Sequence, residues 1–495
     1  MEYKIKILPS NDEVVSVEGQ TLAHALANAG YNISASCGGK GTCGKCKIKL
    51  INGQVQGQTA DESGYVLSCK AKIISDVTVF LLNDSGSGLT EFARGKAQGD
   101  KCGLGVALDI GTTTLGACLV DLASGEILEK TSALNPQSVC GADVLSRINA
   151  CSNGKLSFLQ TLILEKTKEI INTLAKGRKI NELYVSANTT MLHLFLGVNP
   201  ESIGKYPFTP VFTDTKVVDG EKLGLPVDKV CLLASASAYV GSDITAGVFA
   251  LNMHEDKGIS IFVDVGTNGE IVLVNNGNLY ATSTAAGPAL EGACIECGIG
   301  GVTGAIDKVF VKNGKIEFNT IGNAQPVGIC GSGLIDLIAL LLKEDIIDET
   351  GAFNDLSASD FICSLKDDRF YLTDEIYLSQ KDIRQFQLAK SAISAGIETL
   401  LIEKGITVNQ VQNLYVAGGL GYYMSVSNAT AAGLFPKGLQ EKTKVVGNTS
   451  LAGVEICLIS EGADVEVQKI AQSMQIIELS FSKIFQDKYV ENMFF

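Results

Sequence analysis

Val106-Ala107-Leu108-Asp109-Ile110-Gly111-Thr112-Thr113-Thr114 is an apolar run that ends in an acid, a glycine and three hydroxyls, and the apolar pattern resumes from Leu115 to Val120. Apolar residues on both sides of a short polar corner predict the two strands of a hairpin, with Gly111 supplying backbone freedom and no side chain in the way. Such a corner suits a phosphate. Backbone N–H groups and the hydroxyls of Thr112 to Thr114 donate to its oxygens, whereas Asp109 makes sense beside an anion only with Mg²⁺ or its waters. The design occurs again at Ile261-Phe262-Val263-Asp264-Val265-Gly266-Thr267-Asn268-Gly269-Glu270, followed by the apolar stretch Ile271 to Val274. Two such corners are expected to hold one triphosphate from opposite sides.

A lone Asp-x-Gly-Thr reads equally well as an ordinary hairpin. Its recurrence resembles the phosphate-1 and phosphate-2 loops of the actin, Hsp70 and sugar-kinase (ASKHA) superfamily. That family's adenosine loop is matched by Leu414-Tyr415-Val416-Ala417-Gly418-Gly419-Leu420-Gly421, a strand ending in glycines that let a flat base and ribose approach. Its two connecting helices are matched by Ala234 to Ala250, which contains Gly241-Ser242-Asp243, and by Gly447-Asn448-Thr449-Ser450-Leu451-Ala452-Gly453. The resemblance implies a two-lobed, RNase H-like α/β ATPase domain binding ATP and Mg²⁺. In it Asp109 and Asp264 position the metal, and Gly111, Thr112, Thr113, Gly266, Thr267 and Asn268 hold the phosphates. Gly418, Gly419 and Gly421 face the nucleoside, and Asp243 positions the attacking water.

At 495 residues the chain is long enough for two or three domains with buried cores. A net charge of −14 argues against nucleic acid, which is bound by clustered Lys and Arg. There is no apolar run of about 18 uncharged residues, and Met1-Glu2-Tyr3-Lys4-Ile5 lacks the apolar core of a signal peptide. A soluble cytoplasmic protein without a membrane partner is expected. In that compartment a cluster among the fourteen cysteines points to metal rather than to disulfides.

Such a cluster lies near the start, at Cys37-Gly38-Gly39-Lys40-Gly41-Thr42-Cys43-Gly44-Lys45-Cys46, with Cys69 beyond a strand and a turn. Four thiolates, three of them on a glycine-rich loop, suit a [2Fe–2S] cluster, because the loop's N–H groups stabilise its negative charge. Zinc sites favour two CxxC pairs, and this region has one. Gly39 to Lys45 also imitates a phosphate loop, but Cys46 follows where Ser or Thr belongs, and no long helix comes after it. The spacing C-x5-C-x2-C-x22-C resembles the β-grasp ferredoxin fold, in its adrenodoxin branch. The flanking pattern agrees, with an expected hairpin over residues 2–8 and 13–17 and a short helix over 21–29.

The expected organisation is a ferredoxin-like domain at 1–83, a flexible linker at 84–103 and an ATPase domain at 104–495, with lobes of about 104–250 and 251–495. Twenty coil residues hold their ends roughly 25 Å apart, which suits a tethered carrier. Apolar spacing predicts a long amphipathic helix over Leu156 to Ala175, a strand at 184–187 followed by a helix from Asn188 through Leu196, a core helix over Leu334 to Leu342 and a terminal helix over Leu479 to Phe495. His193 is expected to be packed rather than catalytic. Cys294-Ile295-Glu296-Cys297 reads as two ordinary thiols, the alternative being a cluster shared across a homodimer of the ATPase domain.

A ferredoxin domain ahead of an actin-like ATPase resembles the reductive activators of corrinoid proteins. The resemblance extends to Asn135-Pro136-Gln137, Gly141-Ala142-Asp143-Val144, Asn188-Thr189-Thr190-Met191, Asp264 to Glu270, Ala286 to Gly292 and Glu478-Leu479-Ser480. The activators of 2-hydroxyacyl-CoA dehydratases share the ATPase fold but lack the ferredoxin domain. One departure stands out: larger members carry a middle domain that this chain is expected to lack, which leaves the docking of its ferredoxin domain open. The implied activity is ATP-dependent, one-electron reduction of a corrinoid protein from Co(II) to Co(I), with a low-potential donor supplying the cluster. Two other classes remain: a small-molecule kinase with a redox-sensing domain, and a non-hydrolysing electron carrier.

Overall fold

The computed structural model describes residues 2–8, 12–29, 46–60, 64–80, 101–354, 357–419 and 424–495. Most of the expected linker lies outside the described residues. The described chain up to Leu233, with Cys457–Glu461, forms one compact unit; Ala234–Ile456 with Gly462–Phe495 forms the other.

The first unit begins with a small mixed sheet. Glu2–Leu8 pairs antiparallel with Asp12–Val17 and parallel with Val77–Phe80, which in turn pairs with Lys47–Asn52 and, through it, Tyr65–Leu67. Alternation turns Ile5, Ile7, Ile48, Val66, Val77 and Val79 inward, where they meet Leu22 and Leu26 of the helix Leu22–Asn28. Thr21 Oγ1 accepts from the His24 N–H at the start of that helix, as a capping hydroxyl does. This is the expected ferredoxin-like module.

A six-stranded sheet follows, running edge to edge as Ile127–Leu134, Thr114–Asp121, Leu104–Ile110, Ile180–Ala187, Val227–Leu232 and Lys216–Asp219. Three strands form an antiparallel meander, and the next two lie parallel to its first. Val106, Leu108 and Ile110 face the helices Leu156–Ala175 and Thr189–Leu196. With a period of two, Asp109 therefore emerges on the opposite face.

The second unit repeats the plan. Its sheet runs Thr443–Gly447, Asn413–Ala417, Ile259–Val265, Gly269–Asn275, Asn278–Thr284 and Gln475–Ile476. Again a meander of three strands is extended by two strands parallel to its first. Ile261, Val263 and Val265 pack with Ile335 and Ile338 of the helix Gly331–Lys343 and with Ile393 and Ile397 of the helix Gln380–Glu403. Phe262, Val272 and Val274 take the other face, under Ile244 and Val248 of the helix Ser242–Ala250. No helix among the described residues is long and apolar enough to cross a membrane.

Two expected elements differ in extent. The first connecting segment is helical only over Ser242–Ala250, because Ala236 and Ser237 spend their N–H groups on the Val240 carbonyl in a tight loop. The terminal helix is broken into a 3-10 turn at Leu479–Phe481 and a helix at Lys483–Glu491, with the Ser482 side chain accepting from the Phe485 N–H as a new N-cap.

The helices Ser242–Ala250 and Thr449–Ile459 cross on small residues. A Cβ added to Gly453 would lie 2.2 Å from the Ala246 carbonyl oxygen, and one on Gly247 would lie 2.7 Å from Thr449 Oγ1. Gly453→Val is therefore expected to destabilise the protein by about 1–3 kcal/mol, the usual size of an overpacking penalty. Gly300→Ala, where nothing lies within 4 Å, should be close to neutral. Chemical denaturation of both variants checks this, and a Gly453→Val protein as stable as its parent would contradict the close crossing.

Candidate nucleotide and cluster sites

At the first corner Ile110 pairs with Leu115, and the Gly111 N–H donates 2.9 Å to the Thr114 carbonyl. A Cβ on Gly111 would sit 2.7 Å from that oxygen, so glycine is required. Thr113 and Thr114 are exposed at the tip, and Asp109 is half-buried beneath them. Ser186 Oγ donates to Asp109 Oδ1 at 3.4 Å, and Asn188 Nδ2 donates to Thr112 Oγ1 at 3.0 Å.

The corner's carbonyls are held from behind. Asn135 donates through Nδ2 to the Gly111 carbonyl at 2.9 Å and through its backbone N–H to the Thr113 carbonyl at 2.8 Å. The fully buried Arg147, on the helix Val144–Ala150, donates to the Thr112 carbonyl and to the Gly141 carbonyl. Its guanidinium also reaches Met191 Sδ at 3.1 Å. The carbonyls are thus engaged behind the turn, while Thr113 and Thr114 stand exposed at its tip. The three stretches beginning at Asn135, Gly141 and Asn188 thus acquire a common role as the brace of this corner. Arg147 is the residue that the sequence reading missed.

At the second corner Val265 pairs with Gly269 and Asp264 with Glu270. That register puts the Asp264 and Glu270 carboxylates side by side on the face covered by Ser242–Ala250, whose first turn carries Asp243. Glu270 as a residue is half-buried. Loss of hydration is nonetheless the leading cause that pushes its carboxyl well above the ordinary value, followed by the charges of Asp243 and Asp264. Hydrogen bonds from Asn268 and Ser283 pull the other way. Thr267 Oγ1 donates 3.0 Å to Glu291 Oε1, and the Gly266 N–H donates to the Asn268 carbonyl at 3.0 Å. Thr267 is thereby held, and Glu291 joins Glu270 as a site residue that motif reading passed over.

The strand Asn413–Ala417 lies parallel to Ile259–Val265 and ends beside Asp264. Gly418 has φ +95°, and a Cβ there would fall 2.7 Å from Asp264 Oδ1 and 2.6 Å from the Val265 carbonyl. Only glycine permits that approach. Gly419 is described and Gly421 lies outside the described residues.

In the ferredoxin-like module, Lys47 pairs with Leu67, and Ser68 donates to the Cys46 carbonyl through both its N–H and its Oγ. The strands thus deliver Cys46 and Cys69 to one place, with their Sγ atoms 3.2 Å apart. Cys46 is buried and Cys69 partly so. Two adjacent thiols not joined as a disulfide form a soft, paired donor set that fits iron. Cys37 and Cys43 lie outside the described residues. His193 is packed, as expected. It is fully buried, with Nδ1 2.7 Å from the Thr189 carbonyl and Nε2 accepting from the Val211 N–H, and burial holds its pKa below the usual value.

Residues 258–495 match the family model of the C-terminal ASKHA domain of RACo, residues 104–256 that of the RACo middle region, and residues 5–73 that of a 2Fe-2S iron-sulfur cluster binding domain. The chain is 35% identical over 417 residues to corrinoid activation enzyme RamQ of Eubacterium limosum, across 79% of this chain and 70% of that protein. It is 24% identical over 426 residues to a Methanosarcina barkeri reductase of a Co(II) methylated amine-specific corrinoid protein, across 78% and 76% of the two chains. A solved reductive activator for a corrinoid, iron-sulfur protein superposes with a TM-score of 0.73 at 29% identity, covering 99% of this chain and 98% of that one.

Residues 104–256 match the middle region itself. Five strands of its sheet follow the same order as five of the sheet that follows, the sixth lying at opposite edges, which is why it reads as the first half of a duplicated ATPase fold.

Glu270 has a sign-definite consequence for stability. Its folded pKa is raised above the ordinary 4.5, so the folded protein holds a proton there that the unfolded chain releases, and stability falls as pH rises from about 4.5 toward the raised value. Glu270→Gln removes that loss. In nucleotide-free, Mg²⁺-free protein its melting temperature is expected to exceed the parent's by a margin that widens with pH across this window. A margin that is constant or shrinks with pH would contradict the carboxylate cluster.

Proposed function

Because this chain belongs to the family of reductive activators of corrinoid proteins, we propose that it returns an inactive Co(II) corrinoid protein to Co(I) by one-electron transfer from its own [2Fe–2S] cluster, driven by turnover of MgATP. The single observation that carries this reading is the presence, in one chain, of a paired-thiol ferredoxin-like module and of two like-ordered sheets that each end in an Asp-x-Gly-Thr corner.

Cys46 and Cys69 fit the cluster, with Cys37 and Cys43 as the remaining ligands. When bound, such a cluster supplies a one-electron carrier near −400 mV. Every 59 mV by which the acceptor is harder to reduce costs about tenfold in the equilibrium, and ATP supplies the bias by favouring one conformational state over another. At the corners Asp109 and Asp264 hold Mg²⁺ directly or through water, and a divalent cation also relieves the repulsion among Asp243, Asp264 and Glu270. Gly111, Thr112, Thr113, Gly266, Thr267 and Asn268 donate to the phosphates. Gly418, Gly419 and Gly421 make room for the nucleoside, and Asp243 orients the attacking water. A low-potential donor reduces the cluster, the cytoplasm is the compartment, and a homodimer through the ATPase domain is the arrangement to look for.

Substitution separates the two halves of the reading. Asp109→Ala and Asp264→Ala are each expected to lower MgATP turnover by about a hundredfold or more, the scale of losing one electrostatic stabiliser of phosphoryl transfer, while iron content stays unchanged. Cys46→Ala and Cys69→Ala should lose the cluster's visible absorption and its iron while nucleotide turnover persists. Zinc without iron in anaerobically purified protein would refute the cluster, and undiminished turnover in both aspartate variants would refute the corners.

A further inference from the structure

Two buried aspartates of the second unit have no place in either the cluster or the nucleotide reading. Asp307 lies on the strand Ala305–Lys312 and Asp336 on the helix Gly331–Lys343, and they are 8% and 6% exposed. The helix lies along the strand. Ser332 Oγ donates 2.9 Å to the Asp307 carbonyl, and Asp336 Oδ2 accepts from the Val309 N–H at 3.3 Å. Ser332 and Asp336 stand four residues apart and so share the helix face that meets the strand.

Asp307 is the extra residue of a β-bulge. Ile306 pairs with Thr320 and Lys308 with Asn319 of the strand Lys315–Thr320, which leaves Asp307 opposite no residue. A bulge re-aims the side chain it carries, and here it turns a carboxylate inward. Asp307 Oδ1 is buried and has no hydrogen-bond partner among the described residues. Such an oxygen is costly, because nothing replaces the water it gave up. Burial first, and the charge of Asp307 as well, push the Asp336 carboxyl above its ordinary value, against hydrogen bonds from Asn428 and Val309 and the charge of the exposed Lys308. Asn428, on the helix Val426–Ala431, donates through Nδ2 to Asp336 Oδ1 at 2.7 Å. A half-turn of that amide presents its oxygen instead.

We propose that Asp307 and Asp336 hold a hard divalent cation, with the Asn428 amide oxygen as a third ligand and water completing its shell. Two carboxylates match the charge of such an ion, and an all-oxygen donor set suits the Mg²⁺, Ca²⁺ and Mn²⁺ class rather than zinc or copper. Crowded acids by themselves need no ion, since one of them can keep its proton. A buried carboxylate oxygen with no donor calls for a cation, which is the partner it lacks. The ion ties a strand and two helices together at a point where the chain bulges. It is distinct from the Mg²⁺ assigned to the corners, so this site stands whether or not the nucleotide reading does.

The test titrates the holoprotein, free of nucleotide and of divalent ions, with Mn²⁺, whose free EPR signal disappears on binding. Asp307→Asn and Asp336→Asn proteins are each expected to bind one ion fewer than the parent. Asp109 and Asp264 are intact in all three, so ions held at the corners cancel in the comparison. Displacement of that one ion by Ca²⁺ and by Mg²⁺ ranks the two as occupants. Thermal unfolding gives a second readout. Without divalent ions Asp307→Asn, which no longer buries an unpaired carboxylate, should melt at or above the parent's temperature. With millimolar Ca²⁺ or Mg²⁺ the parent should gain more than the variant, because the ion binds only the folded parent's site. Equal ion counts in parent and Asp307→Asn would overturn the proposal, as would a melting temperature that the cation raises equally in both.

Discussion

Asp243, Asp264 and Glu270 bring three carboxyl groups to one end of one sheet face, and the second unit is arranged around that repulsion. The pairing of Asp264 with Glu270 follows from a hairpin whose register is fixed by a buried apolar face. Asp243 joins them because the helix that covers the opposite face starts at its own first turn over the same spot. Loss of hydration, followed by the charges of Asp243 and Asp264, raises the Glu270 carboxyl's affinity for a proton well above the ordinary value.

The first corner faces the opposite problem and solves it with a buried cation. Arg147 spends its donors on the carbonyls of Thr112 and Gly141, so the positive charge is taken up behind the turn while the hydroxyls of Thr113 and Thr114 remain exposed at its tip. A fully buried guanidinium is costly unless its donors are satisfied, so the surrounding backbone has little freedom to shift. The two corners thus share a strand plan and differ in electrostatics, one braced by a cation and the other crowded with acids.

Local patterns were legible in the sequence, and relations across distance were not. Apolar runs broken by Asp-x-Gly-Thr give both hairpins, and the strand before Gly418 was legible from the glycines that end it, whereas the close approach of Gly418 to Asp264 shows only in the fold. The proximity of Cys46 and Cys69 was anticipated from thiol chemistry. Arg147 escaped notice because nothing local marks a residue whose partners are carbonyls in another stretch. Glu270 was quoted with its corner yet given no role, since its meaning depends on cross-strand register and on a helix that begins elsewhere. That residues 104–256 form one half of a duplicated plan shows in the order of its strands, which spacing along the chain does not carry. The break at Ser482 had a readable cap, but the aromatic spacing across it imitates one continuous helix.

The central claim is that nucleotide turnover drives an electron uphill from the ferredoxin-like module to cobalt. It is tested most directly by mixing the holoprotein with a Co(II) corrinoid protein under a fixed low-potential donor and following the rise of the Co(I) absorption band, with MgATP present and absent. The account predicts reduction that requires MgATP and fails in Asp264→Ala protein whose cluster is intact. Reduction at the same rate and to the same extent without nucleotide would contradict it.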